Sequence, residues 1–352
     1  MRRVSQYAYI NAKIRGMRSK LLPSSTVDSL VGAGNFETLI RLLESTYYKA
    51  VISRIPAREL NPESLDKAFS QDFMERFETV ISFAPGGSKD LLDSMKKKFE
   101  AATLKTLIRA KVAKVEIDRA MRYAIPVGAF TEDVCRRLLG TKDIREFAGE
   151  IPEPDLRRAV GGALFEYEKL NATFPLEAAV DQQVYGELWS DVNQLKGTDK
   201  PSGQKLIGTE IDAINTRSVL RSKVLELEPE YARSYLLKVT YRLRHKDLKE
   251  ALEAESVSDA VKQLAIHQYR KVMMIALQKY MKDKSLAAFE LALDGLRAEA
   301  SKKISYTRSP FQVGTILSFL NLKWFEIRNL KAIVTGKVDG LSPGHIREFL
   351  VY

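Results

Sequence analysis

The residues able to do chemistry in this chain are scattered rather than gathered. His245, His267 and His345 lie far apart, and none belongs to a pair at ligand spacing. A zinc centre normally takes about four Cys, His or carboxylate ligands, so no metal site is expected. Cys135 is the single cysteine and cannot form an intrachain disulfide. Its apolar neighbours, with Arg136-Arg137 beside them, point to a small buried hydrophobe rather than a reactive thiolate. Gly32-Ala33-Gly34 lacks the spacing of a dinucleotide loop and no Gly-Lys-Ser/Thr follows, so it is expected to be a turn before a helix at Phe36. Serine-nucleophile motifs of the Gly-x-Ser-x-Gly type are absent, and no carboxylates stand out as an acid/base pair. The expectation is a non-enzyme with no cofactor and no small-molecule substrate.

Charge points towards partners instead. Fifty-six Lys+Arg stand against 45 Asp+Glu among 352 residues, a net charge of +11. That balance favours an anionic partner: nucleic acid, anionic lipid or an acidic protein face. Lys96-Lys97-Lys98 is the only tight basic run and reads as a solvated helix face; it lacks the interleaved aromatics that stack bases, so nucleic acid is not expected. No stretch approaches the 18 or so apolar residues of a spanning helix. The start, Met1-Arg2-Arg3-Val4-Ser5-Gln6-Tyr7, is basic but leads into no apolar segment, unlike a secretory signal. A soluble chain that reaches a membrane only through a partner is expected.

The elements that must position these residues are helices. Leu104, Leu107, Ile108, Val112 and Val115 fall at helical spacing, as do Leu39, Leu42 and Leu43, and Phe69, Phe73 and Phe77 form a core stripe. Breaks occur at Pro85-Gly86-Gly87-Ser88, Ile151-Pro152-Glu153-Pro154, Gly197 to Gly203 and Leu341-Ser342-Pro343-Gly344. The fold class is therefore all-α.

One pattern occurs three times at the same internal spacing. Its members are Glu100, Thr103, Lys105, Leu107, Ile108, Arg109 and Lys111; then Asp212, Asn215, Arg217, Val219, Leu220, Arg221 and Lys223; then Glu326, Asn329, Lys331, Ile333, Val334, Thr335 and Lys337. The second and third copies also share a tail, in which Leu227, Pro229, Arg233, Tyr235 and Leu236 match Leu341, Pro343, Arg347, Phe349 and Leu350. A weaker echo pairs Lys142–Glu146 with Lys246–Glu250, with Asn35-Phe36-Glu37 as a third copy. A unit of roughly 113 residues is the size of a small domain and exceeds a solenoid repeat. The reading is three homologous helical domains in tandem, residues 1–126, 127–238 and 239–352.

Counting the acid as position 0 and turning about 100° per residue, positions 3, 4, 7, 8 and 11 share its face. That face is expected to be buried. The bases at positions 5 and 9 (Lys105, Arg109, Arg217, Arg221 and Lys331) are expected on the opposite, solvated side. An acid early in the helix and a Lys late in it would suit the helix dipole. The repeat then reads either as a core helix with matched ends or as three basic sets lining one surface that grips a partner.

At this point the sequence resembles a family. Tyr7-Ala8-Tyr9-Ile10-Asn11-Ala12-Lys13-Ile14-Arg15 looks like the opening motif of the C subunit of the A/V-type rotary ATPases, which is similar to the d subunit of the vacuolar enzyme. Phe36 to Tyr48 fits that family's next helix, and Phe325-Glu326-Ile327-Arg328-Asn329-Leu330-Lys331 through Lys337, followed by Leu341-Ser342-Pro343, matches its most recognisable stretch. The resemblance covers nearly the full length and is least specific in the middle third. It implies a funnel of three similar domains in pseudo-threefold arrangement. One end would sit on the proteolipid ring at the cytoplasmic face of the membrane, near anionic lipid headgroups, and the mouth would receive the central shaft, subunits D and F. Tyr7, Tyr9 and Arg15, with the repeated bases, are the candidate partner contacts. A basic helical-repeat adaptor of another complex is the alternative; it would share the triplication but not the Tyr-x-Tyr-x-Asn-Ala opening.

Overall fold

The computed structural model describes residues 2–85, 88–306 and 311–351. Gly86-Gly87 of the first break, and Met1, lie outside the described residues. Among those described, helices account for all regular structure apart from an isolated bridge between Val127 and Phe130.

The chain runs through α1 (Arg2–Arg18), α2 (Ser24–Gly32), α3 (Phe36–Glu44), α4 (Lys49–Ile52), α5 (Pro62–Ser82), α6 (Lys89–Val112) and α7 (Ile117–Tyr123). It continues with α8 (Glu132–Gly140), α9 (Ile144–Gly149), α10 (Pro154–Gly162), α11 (Leu164–Leu170), α12 (Phe174–Gln194), α13 (Asp199–Val224) and α14 (Pro229–Arg233). The last part is α15 (His245–Glu253), α16 (Val257–Leu264), α17 (Arg270–Asp283), α18 (Ala287–Ser305), α19 (Val313–Val338) and α20 (Pro343–Arg347). One order recurs: two short helices, a linking segment, a long helix pair, a short closing helix.

Local chemistry explains why the boundaries recur. The second short helix starts at a side-chain cap each time: Asn35 for α3, Asp143 for α9 and Ser256 for α16 accept from main-chain N–H groups of the first turn. This order aligns Asp143 with Ser256, so the sequence echo of Lys142–Glu146 with Lys246–Glu250 falls one helix out of register. The turn before Phe36 is where the glycines placed it. The long repeat helices α6, α13 and α19 end alike, with a left-handed residue (Lys114, φ 51°; Glu226, φ 51°; Gly340, φ 68°). The next N–H then reaches back five residues: Val115 to the Ala110 carbonyl, Leu227 to Ser222 and Leu341 to Gly336. The chain therefore leaves all three helices in the same direction. At Gly197 to Gly203 the expected break is shorter, because α13 already begins at Asp199 and holds Pro201 in its first turn.

The long helices pack in a cycle. Within the second and third copies the pair packs together, α12 on α13 and α18 on α19. Between copies, α6 packs on α12, α13 on α18 and α19 on α5. The α5 and α6 helices meet through aromatic edges, Phe73 and Phe77 lying 5.1 and 5.6 Å from Phe99, and Trp324 of α19 lies 4.7 Å from Phe99. Phe69, Phe73 and Phe77 are fully buried, as the stripe required. Burying such a side chain contributes about 1.5–3 kcal/mol. One apolar cluster runs from α1 through α12 into the first half of α13, and on to α19 and α20; a second joins the end of α13 to α15–α18. Residues 126 and 238 fall between α7 and α8 and between α14 and α15, yet the apolar core crosses both positions.

Candidate functional site

The repeated helix carries its chemistry on two opposite faces. On one face, the acid at position 0 accepts main-chain N–H groups from the loop that opens the next copy. Glu100 Oε1 accepts from Ala129 at 2.9 Å. Asp212 accepts from Tyr241, Arg242 and Leu243 at 2.9, 2.6 and 3.1 Å and from the Tyr269 hydroxyl at 2.7 Å. Glu326 accepts from Leu22 at 2.5 Å and from the Tyr48 hydroxyl at 2.6 Å. The third copy thus latches onto the first.

Position 3 holds the outgoing chain. Thr103 donates to the Ile125 carbonyl at 2.5 Å; Asn215 bridges the Leu237 N–H and the Val239 carbonyl; Asn329 bonds both main-chain groups of Val351. In the first two copies the Lys at position 11 ends the series by donating to the carbonyls that close the next copy's first short helix. Lys111 bonds Leu139 and Thr141, and Lys223 bonds Ala254 at 2.6 Å. Burial pushes the carboxyl groups of Glu100 and Asp212 up, opposed by their N–H and hydroxyl donors.

The sequence placed this acid early in its helix; it lies near the middle, about a dozen residues in, so the dipole does not explain it. Its partners do.

The opposite face was expected to be solvated and is largely covered, Arg109 alone among its bases staying half exposed. It packs on the first long helix of the next copy, which supplies acids. Lys105 pairs with Asp181 at 2.5 Å, and its side chain is 15% exposed. Arg109 and Arg221 both grip Glu177, and Arg221 also reaches Glu290 at 2.8 Å. Burial alone would raise the Glu177 carboxyl; the two guanidiniums outweigh it and hold it well below the usual carboxylate range. Arg217 lines a cavity of about 180 Å³ between α6, α13, α18 and α19 with Glu290 and Asp294. Lys331 is 5% exposed and donates to the Ala124 carbonyl at 2.6 Å. It faces Asp66 of α5, whose carboxyl is raised by burial against the pull of Lys331 and Arg122.

Lys98 corrects the same expectation for the basic run. Lys96 and Lys97 pair with Glu78 and Glu187 near the surface, while Lys98 is 4% exposed and pairs with Glu210 at 3.1 Å. Burial and the neighbouring Arg297 bring its ammonium down to about 8, against the pull of Glu210. Glu210 also takes the Tyr185 hydroxyl and Arg297, and Asp294 takes Arg297 and Arg328, so α6, α12, α13, α18 and α19 share one charged knot. Sequence reasoning missed Glu177 and Asp294, on the first long helices α12 and α18, and Glu210, on α13 two residues before the motif acid, because none of them belongs to the repeated pattern. Their signal was the lysine and arginine set opposite an already apolar face, which needs compensation if that face is also covered.

Of the candidates on α1, Tyr7 is 6% exposed and donates to Asp199 at 3.1 Å. Tyr9 is 55% exposed, its ring edge-on to Phe83 at 5.0 Å with the Lys13 ammonium over both rings. Arg15 is exposed. The helix therefore brings Tyr9, Lys13 and Arg15 to the surface, Tyr9 and Lys13 beside Phe83 at the end of α5, and keeps Tyr7 inside.

No cluster of His, Cys, Asp or Glu among the described residues could hold a metal ion. Cys135 is fully buried, its thiol pushed up to about 12.

A family model described as ATP synthase (C/AC39) subunit matches residues 10–349, which takes in all three latches. The chain belongs to the ATP synthase (C/AC39) subunit family. It is similar to the C subunit of the A-type ATP synthase of Methanocaldococcus jannaschii, 29% identical over 99% of this chain and 87% of that one. The same subunit of Haloferax volcanii is 28% identical over 97% of both chains, and that of Methanosphaera stadtmanae 24% over 98% and 88%. In this family member, the built features are joints between helices. No helix among the described residues is long and apolar enough to cross a membrane.

Proposed function

We propose that this chain is the non-catalytic socket of an A/V-type rotary ATPase, coupling the proteolipid rotor ring to the central shaft, subunits D and F, and transmitting torque without making or breaking bonds. In this reading residues 1–126, 127–238 and 239–352 are three homologous domains in a pseudo-threefold funnel. The protein sits peripherally at the cytoplasmic face, beside anionic lipid headgroups. The observation that carries the reading is the closing latch between Glu326 and Leu22. A transmission part must resist twisting, and a cycle of helices joined at every step by hydrogen bonds at least partly shielded from water resists it better than an open arc. The relatives, each named as the C subunit of an A-type ATP synthase, support the machine in question.

Tyr9 and Arg15 are the proposed partner contacts on α1, and Arg217 at the cavity it lines with Glu290 and Asp294 is a third. Lys105, Arg109, Arg221 and Lys331 serve the joints between helices. Surface bases outside α17 meet the polar loops of the ring, contacts that weaken with salt.

Co-purification with the shaft and ring proteins, at low and high salt, tests this. The socket reading expects that neither captures the other without this chain. Capture of ring by shaft in its absence, or binding of this chain to neither, overturns it.

A further inference from the structure

The linking segment is where the three copies differ. The first has the four-residue α4, the second has α10 and α11 of nine and seven residues, and the third has the single 14-residue α17. Its inner face follows the core: Met273, Ala276 and Leu277 are buried, and Tyr280 lies 5.5 Å from the ring of Phe289.

Its outer face is both apolar and uncompensated. Met274, Ile275 and Met281 are 39, 50 and 54% exposed. Arg270, Met274, Gln278 and Met281 follow each other at helical spacing, with Lys271, Ile275 and Lys282 in the adjoining row and Lys279 beside them. Among the described residues, no carboxylate lies within ion-pair distance of Arg270, Lys271, Lys279 or Lys282. The surrounding helices behave otherwise: Lys246–Glu250, Lys249–Glu253, Lys262–Asp259 and Lys303–Glu299 pair within their own helix. The one acid of α17, Asp283, caps the Ser285 N–H instead.

We propose that the outer face of α17 docks an amphipathic helical segment of another protein of the same complex, with apolar side chains along its centre and Asp or Glu at its flanks. Charge complementarity chooses an acidic partner, and methionine chooses a protein surface, because its flexible thioether fits an irregular side-chain relief. A bilayer is the poorer fit: interfacial helices present Trp, Phe or Leu, and this face presents none. The inference rests on the chain being part of a complex, not on torque transmission.

The test uses the assembled complex, purified after confirming that it contains this chain, so that failed assembly and failed docking are told apart. A benzophenone side chain is placed at Ile275 and, as control, at exposed Lys246, and adducts are read by mass spectrometry. The expected adduct at Ile275 joins a helical Asp/Glu-bearing peptide of a different protein of the complex, and K271E/K279E/K282E lowers its yield about tenfold. These are surface positions, and an unchanged thermal melt of the triple variant confirms folding. A lipid adduct, an adduct to a segment without carboxylates, or a yield no higher than at Lys246 overturns the proposal.

Discussion

Glu326 accepts the main-chain N–H of Leu22 across 304 residues of sequence, at 2.5 Å. Together with Glu100 on Ala129 and Asp212 on Tyr241 to Leu243, it makes the acid of the repeat a latch on whatever copy comes next, the first copy included.

The latches differ in how many donors they satisfy, so their loss is graded. Replacing Asp212 with Ala strands four donors, Glu326→Ala at least two and Glu100→Ala one. A stranded buried donor costs about 1–3 kcal/mol. Urea unfolding is expected to rank the losses Asp212→Ala, Glu326→Ala, Glu100→Ala, from roughly 4 kcal/mol down to about 1. Equal losses would deny the latch role.

Glu177 supplies a pH signature. Its carboxyl titrates below the ordinary 4.5 in the folded chain, so between the folded value and about 4.5 the unfolded chain binds more protons. The stability it contributes is present above pH 4.5 and is lost as pH falls through the folded value. At pH 7, Glu177→Gln breaks a buried pair and is expected to cost about 3 kcal/mol. Melts from pH 7 to 3 should show a constant gap between wild type and variant down to about 5, then a narrowing one. A gap as wide at pH 3 as at pH 7 contradicts the assignment.

Two glycines with positive φ should respond differently to a methyl group. At Gly128 (φ +58°) an added Cβ would fall on the Glu100 carboxylate, whereas at Gly340 (φ +68°) it meets nothing within 4 Å. Gly340→Ala is expected to cost about 1 kcal/mol, the left-handed strain alone, as Lys114 and Glu226 already bear at the equivalent sites. Gly128→Ala should cost about 3 kcal/mol, by adding displacement of the Glu100 latch. Denaturant midpoints of the two variants check the difference.

Cys135 should resist thiol reagents at pH 8 in the native protein and react at once in urea, since burial holds its thiol near 12. Native-state labelling at a free-thiol rate would place it at the surface.

What was legible in the sequence was periodicity and repetition. The Leu107-Ile108 stripe marked the buried face, the Gly32-Ala33-Gly34 turn marked the start of α3, and the threefold motif marked equivalent helices. What was not legible was the second face. Lys105 and Lys98 look like solvated bases because a charged face usually is, and nothing local to them says that Asp181 or Glu210 will lie opposite. Those partners come from another copy, 76 and 112 residues away, so only the packing of α6 on α12 and α13 reveals them. The closing of α19 on α5 was invisible for the same reason: repetition states that the copies are alike, not that the last meets the first.

Amide hydrogen exchange of Leu22, Ala129 and Leu243 in the isolated protein tests the closed cycle most directly. The account predicts strong protection at all three, lost selectively at Leu22 in Glu326→Ala. Exchange of Leu22 at the rate of an open loop, while Ala129 and Leu243 stay protected, would mean that the chain is an open arc.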